Sequence, residues 1–377
     1  MSIYLVSNSI LYYPSHLPRV SSPLFAKAFD FLKQNQIVTY LCQTQKGAII
    51  HDSNFSGGKH MKFKALSHYD NDMDTRFGDC ILLYNEASLV VYDCGHSRHA
   101  QEVETFLEKH SVIKAVDVVV SHNDSDHTGG VCELLNWLKD SGKYTVRVFT
   151  HQYLKYVDEI LNKVADRRRR PESLKESLLE KFDHIKEIIE MAENCGFECV
   201  NAIPDTAVGE CTIVGPTEDE FIEVAAKAID SRESDNIGEG DAQETVMNAA
   251  SVQLKCTLND ENTILLCGDA SPDYLHELDS YVYIQLPHHG QLDDAMAIFD
   301  ELGGDAYKKQ YLVSDNSGSG KTSGGSDNLV DFMKKEKYNA AHNTKNGVVE
   351  LPLLSAAGTL KSAGKERVRL SDLDCVK

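Results

Sequence analysis

Ser121-His122-Asn123-Asp124-Ser125-Asp126-His127-Thr128-Gly129-Gly130 follows directly on the apolar run 116–120 (VDVVV). The run reads as a buried strand, and the polar, glycine-ended stretch after it as a loop. His122, Asp124, Asp126 and His127 are four potential metal ligands within six positions. Side chains that must converge on a cation are best placed where a rigid strand gives way to a loop, because each can then turn inward. A solvated loop can also carry two His and two Asp. The strand before and the glycine pair after favour a site.

Four further segments share this construction. Residues 78–83 (GDCILL) and 88–95 (SLVVYDCG) read as a hairpin whose second strand ends at Asp93-Cys94-Gly95. Residues 248–254 (NAASVQL) open a strand, and 263–269 (TILLCGD) form one ending in Gly268-Asp269. Leu286-Pro287-His288-His289-Gly290 closes another apolar strand.

In this order, with the spacing His122-x-Asp124-x-Asp126-His127, the segments resemble the metallo-β-lactamase superfamily. Its usual signature is His-x-His-x-Asp-His, so Asp124 stands here for the second His. That variant, with the Pro-His-His-Gly run, is similar to the hydrolase domain of competence-type DNA-uptake (ComEC-type) proteins and their soluble relatives. The resemblance spans roughly residues 61–349, with an insertion.

It implies an α/β fold, a four-layer αββα sandwich, in which Asp93 braces the metal loop without binding metal. It also implies a first metal on His122, Asp124 and Asp269. A second would sit on Asp126, His127, Asp269 and one of His288 or His289. Asn248 falls where the family has a third His, as a weaker, oxygen-donating ligand. Asp126, His288 and His289 are the expected catalytic side chains. Lys321 or Asp315 is expected to face the substrate, because the family places a loop beside the site at this point. Of the two adjacent histidines, one is expected to bind metal and the other to protonate a leaving group; spacing leaves open which.

The remaining sequence bounds this reading. With 42% hydrophobic and 25% charged residues, the chain has the composition of a soluble globular protein with ample core. No apolar run approaches the length of about 18 residues that spans a membrane, and the N-terminus lacks the pattern of a secretory signal. The ten cysteines form no close CxxC pairs, and Cys80, Cys94 and Cys267 lie inside apolar strands. They read as reduced thiols of a cytoplasmic protein.

Residues 1–60 form an N-terminal extension of unassigned role, with a strand-like start, a helical pattern over 24–34 and an apolar run at 37–41. Residues 61–377 form the hydrolase domain, alternating strands with helices predicted at 99–109 and 131–139. Residues 151–200 are a helical insertion. Apolar positions recur at helical spacing at Tyr153, Tyr156, Val157, Ile160, Leu161 and Val164, and at Leu178, Leu179, Phe182, Ile185, Ile188 and Ile189. Pro171, after Arg167-Arg168-Arg169-Arg170, breaks the two helices. Such a hairpin serves as a lid, a homodimer or protein-partner surface, or a stripe buried on its own domain. Residues 231–244 (SRESDNIGEGDAQE) read as a mobile loop. The run 314–326 (SDNSGSGKTSGGS) fails as a phosphate-binding loop, because Asp315 stands where the first glycine belongs.

The chemistry follows from the ligands. A metal lowers the pKa of bound water from about 15.7 towards 7, and a pair can clamp attacking and leaving oxygens. Asp124 and Asn248 in place of imidazoles favour Mn²⁺ over Zn²⁺. An oxygen-rich pair of divalent metals favours phosphodiester cleavage, of nucleic acid or nucleotide. The formal net charge of −20 and pI near 5.1 weigh against long nucleic acid unless cations are supplied locally, by the metals or the 167–170 arginines. Two other readings stay open: hydrolysis of a lactone, thioester or other carbonyl substrate, and a non-catalytic metal-binding interaction protein.

Overall fold

A computed structural model describes residues 61–66, 78–164, 173, 176, 178–179, 181–230, 246–315 and 326–352, with the backbone of four short strands before them. Lys321, the 167–170 arginines, Pro171, the 24–34 helical pattern and the 231–244 loop lie outside the described residues. By internal contacts the chain falls into two units, Met1–Gly57 and Gly58–Lys377. Within the first, Ser2–Val6 pairs antiparallel with Ser9–Tyr13, and Thr39–Thr44 with Gly47–Asp52.

The second unit is built on two sheets. Edge to edge, one is Glu198–Asn201, Thr145–Thr150, Ala115–Val119, Ser88–Tyr92, Ile81–Tyr84, Lys62–Ala65 and Val349–Leu351. The other is Ala207–Val208, Cys211–Gly215, Gln253–Thr257, Thr263–Leu266, Tyr283–Gln285, Gln310–Val313 and His342–Asn343. Each sheet is antiparallel around its hairpins and parallel beyond them. The parallel runs start at Ser88–Tyr92 in the first and at Thr263–Leu266 in the second.

Strands covered on both faces read as nearly continuous apolar runs, and the 116–120 run shows the reason. Val116, Val118 and Val120 face outer helices, whereas Val119 faces the other sheet. Leu265 and Cys267 point outward in the same way, and Ile264 and Leu266 inward. Phe63, Tyr92, Phe149, Ile213, Leu254 and Leu312 fill the space between the sheets. Helices Ser97–Lys109, Val131–Ser141, Asp183–Cys195 and Glu218–Asp230 contribute to the core outside the first sheet. Leu292–Leu302 and Asp327–Glu336 cover the second. Helix, sheet, sheet, helix is the αββα order expected.

One segment differs from expectation, and one of the open readings of the insertion is the one seen. Asn248 does not begin a strand: Val246–Ala250 is a 3₁₀ turn and the strand begins at Gln253. Ser251 closes that turn, its N–H and hydroxyl both donating to the Asn248 carbonyl at 2.8 and 2.7 Å. Such local closure is what Ser side chains offer in competition with a ladder. In the insertion, helices Val157–Lys163 and Asp183–Cys195 turn their stripe inward. Tyr153, Ile160, Phe182, Ile185 and Ile188 are buried in the core outside the first sheet.

His151, just past Thr145–Thr150, is fully within this packing. Its ring stacks on Phe221 at 4.3 Å between centroids, and Nε2 donates to the Ala250 carbonyl at 2.9 Å. Burial pushes its pKa down to about 4, and the backbone hydrogen bond offsets this only in part. An unfolded histidine titrates near about 6.5. Between those values the unfolded chain binds a proton that the folded chain refuses. Stability from this group is therefore fully present above about pH 6.5 and is lost as pH falls towards 4, ~3 kcal/mol in all. His151→Gln is expected to flatten the drop in melting temperature between pH 7 and pH 4.5. Parallel drops in variant and wild type would refute the assignment.

Candidate metal centre

The loop after Ala115–Val119 is held from three sides before any ligand is considered. Asp93, in a left-handed conformation at φ 60°, accepts from the Ser121 N–H at 2.7 Å, the Ser121 hydroxyl at 2.6 Å and His127 Nδ1 at 2.9 Å. The Asp126 carbonyl oxygen lies between Gly78 and Gly95, and a methyl group on either would overlap it. It accepts from the Asp79 N–H at 3.0 Å. On the third side Asn123 clamps the start of Asp183–Cys195. Its Oδ1 accepts from the Ile185 N–H at 3.0 Å, its Nδ2 donates to Asp183 at 2.9 Å, and its carbonyl accepts from His184 Nδ1 at 2.7 Å.

The second sheet supplies the opposite wall. Asp269 follows Thr263–Leu266, and His288 and His289 follow Tyr283–Gln285. Both histidines have left-handed backbones, at φ 50° and 53°, followed by Gly290 at 86°. Non-glycine residues adopt this region at a cost and cluster at functional sites.

Around Asp269 the predicted residues come together. Its Oδ2 is 3.8 Å from His122 Nε2, 3.8 Å from His289 Nε2 and 4.0 Å from His288 Nε2. Its Oδ1 is 3.5 Å from His127 Nε2. Asp124 Oδ2 is 3.9 Å from His122 Nε2, and Asp126 Oδ2 is 3.1 Å from His289 Nε2. Asn248 directs its amide N–H to Asp124 Oδ2 at 2.8 Å, so in this arrangement it orients that carboxylate. Two buried triads, His122–His127–Asp269 and Asp79–His127–His289, could each hold a cation, with ligand atoms within 4.8 Å of one another.

Charge at the centre is strongly coupled. Burial would raise the Asp269 carboxyl, yet the charges of His289, His127 and His288 hold it well below the usual carboxylate range. Burial likewise opposes ionisation of His127 and His289, but the Asp269 charge and their carboxylate hydrogen bonds push both well up. His122 goes the other way, driven down by burial and by the neighbouring His127. Protons thus supply the positive charge that these carboxylates demand.

Buried polar atoms are ordinarily hydrogen-bonded. His122 Nε2, His127 Nε2 and Asp269 Oδ1 are buried without a hydrogen-bond partner among the described residues, and they face one another. The back of His122 is fixed by contrast: Nδ1 lies 2.9 Å from the Ser121 hydroxyl and 3.2 Å from that of Ser251. An imidazole tethered at Nδ1, with a bare Nε2 aimed at a carboxylate, fits a divalent cation.

Several positioning groups were missed by sequence reasoning. Asp79 lies 3.3 Å from His289 Nδ1 and accepts from Gln285 at 2.6 Å. The Ser314 carbonyl lies 2.9 Å from the same nitrogen. Asp294 meets His288 Nδ1 at 2.6 Å. Asp79 was visible inside the 78–83 segment. Asp294, on the first turn of Leu292–Leu302, carried no signal that set it apart from Asp293. Asp315 lies outside the ligand cluster, where its carboxylate accepts from the Ser326 N–H at 3.0 Å and the Ser326 hydroxyl at 2.5 Å.

No protein-family model matches the sequence, and no curated protein matches it. Solved structures similar to the chain include the metallo-β-lactamase fold protein YhfI from Bacillus subtilis. It is 12% identical over 67% of this chain and 85% of that one, with a TM-score of 0.36. A Cronobacter sakazakii metallo-β-lactamase HARLDQ-motif mutant is 14% identical over 69% and 77%, at 0.29. The DIM-1 metallo-β-lactamase exposed to ceftazidime is 9% identical over 70% and 85%, at 0.28. The architecture itself rests on strand order and burial pattern. Among the described residues, no helix is long and apolar enough to cross a membrane.

Proposed function

We propose that the chain is a metal-dependent hydrolase of phosphodiester bonds, working through divalent cations held by the histidines and carboxylates around Asp269. The observation that carries the reading is that His122 Nε2, His127 Nε2 and Asp269 Oδ1 are buried beside one another without hydrogen-bond partners among the described residues. His122, Asp124 and Asp269 would hold one cation. Asp126, His127, Asp269 and His289 would hold the other. Divalent cations there supply Lewis-acid polarisation of a substrate oxygen and acidify water.

The protein's own groups do the positioning. Asp93, Ser121 and Ser251 fix the imidazole faces, and Asn248 turns the Asp124 carboxylate. Three carboxylates against three buried imidazoles make a donor set richer in oxygen than an all-imidazole site. Such a set suits Mn²⁺ and an anionic phosphoryl group.

The test is turnover of bis(p-nitrophenyl) phosphate by protein stripped of metal and reloaded. Mn²⁺ is expected to support at least the rate that Zn²⁺ does. Asp126→Ala and His127→Ala are each expected to lower it by at least about 10²-fold, the upper range seen even for groups behind the ligands. Hydrolysis of esters or lactones alone would overturn the phosphodiester reading. Two tightly retained Zn²⁺ with no activation by Mn²⁺ would overturn the choice of metal.

A further inference from the structure

We infer that the inserted helix Asp183–Cys195 sets the geometry of the metal loop, with Asn123 and His184 as the positioning residues. This rests on the cations of the proposed function, and not on the bond they cleave. An apolar stripe buried on the domain explains why the helix lies where it does. It leaves unexplained why Asp183, His184 and Ile185 in turn are bonded to the loop that carries the candidate ligands.

Asn123 stands between two of those ligands. His122 Nε2 and Asp124 Oδ2 lie 3.9 Å from each other, while the Asn123 amide is turned to the helix. The first N–H groups of a helix have no acceptor within it. Here the residue in the capping position is Phe182, which offers no side-chain hydrogen bond. Asn123 Oδ1 fills that role from the loop, accepting from the Ile185 N–H at 3.0 Å.

His184 returns the contact. Its Nδ1 lies 2.7 Å from the Asn123 carbonyl and 3.3 Å from the Thr128 hydroxyl. A carbonyl only accepts, so Nδ1 carries the proton. The Thr128 hydroxyl itself donates to the Asp124 carbonyl at 2.9 Å. The imidazole thus holds the peptide carbonyl before Asp124 directly, and the one after it through Thr128.

The helix can act as the fixed partner because its own seat is apolar. Phe182 stacks on Tyr153 at 4.4 Å between centroids, and Ile185 and Ile188 are buried in the core outside the first sheet. The bond to Asp183 is exposed, competes with water and contributes least. Those of His184 and Ile185 are partly shielded and carry the coupling. Coupling between two sites is reciprocal. A helix that holds the loop in the geometry a cation needs must in turn have its first turn held by the bound cation.

Metal-stripped full-length protein would be titrated by calorimetry with Mn²⁺ and, separately, with Zn²⁺. Amide hydrogen exchange would be read across residues 183–188 before and after loading. In Asn123→Ala and His184→Ala the dissociation constant is expected to rise by about 10-fold, the low end for groups behind metal ligands. The slowing of exchange over 183–188 that the cation brings in wild type is expected to be lost with it. An asparagine amide nitrogen sits where Nδ1 does, one bond from Cγ, and that of glutamine lies one bond further out. His184→Asn is therefore expected to restore the affinity and His184→Gln not. Ile188→Val controls for packing of the helix alone, and is expected to lower the melting temperature and leave the dissociation constant unchanged. Wild-type affinity in both alanine variants, an equal loss in Ile188→Val, or no recovery in His184→Asn would overturn the inference and leave the metal centre standing. Wild type that binds neither cation would remove the metal centre and the inference with it.

Discussion

Asp269→Asn is expected to lose bound metal and turnover together. Its carboxylate faces His122, His127, His288 and His289, all between 3.5 and 4.0 Å. Its carboxylate thus meets histidines from both walls of the site. The substitution keeps size and shape and removes the charge, so the sheets should stay packed while the cation affinity collapses. Loss of at least about 10²-fold in turnover is expected, since that is the upper range for groups one shell further out. Metal analysis after gel filtration and bis(p-nitrophenyl) phosphate turnover check it. A variant that keeps wild-type metal content and rate would remove Asp269 from the centre of the site.

Gly95→Ala is the second large effect, and it acts on the fold. The added methyl would overlap the Asp126 carbonyl oxygen, which Gly78 confines from the other side. That oxygen is also tied to the Asp79 N–H at 3.0 Å, and Gly95 N–H to the Asp79 carbonyl at 2.9 Å. Both colliding partners are backbone, so no side-chain rotamer relieves the contact. Overpacking in a rigid core costs about 1–3 kcal/mol, and a backbone collision belongs at about 3 kcal/mol or above on that scale. Denaturant midpoints of the chelated protein would read it, with Gly304→Ala as control, because nothing lies within 4 Å of a Cβ at Gly304. Equal midpoints for the two variants would show that the loop yields.

What was legible in the sequence tracks how local the cause is. Residues 263–269 read as a strand, and Thr263–Leu266 forms one, because burial on both faces leaves a run of apolar residues over 264–266. The ligand cluster 122–127 was legible for the same reason: its members are neighbours in the chain. Asn248 was placed on a strand because the apolar residues after it mimic one. The Ser251 hydroxyl that folds the 3₁₀ turn leaves no periodic trace. The carboxylate behind His288 and the Asp79–Gln285 bond, 206 residues apart in sequence, were illegible. Only the folded backbone sets those distances. That Gly78 and Gly95 grip one oxygen is likewise a property of the hairpin's docking on the loop.

The candidate ligands come from two separate pieces of chain: the first sheet's loop carries His122, Asp124, Asp126 and His127, and the second sheet's ends carry Asp269 and His289. A cation at that seam is a thermodynamic rivet between the two halves. Its binding energy is withheld from any state in which the halves have parted, and each tenfold excess of free cation over its dissociation constant adds about 1.4 kcal/mol to their union. Resistance to unfolding would then be set by the metal supply around the protein as well as by its core.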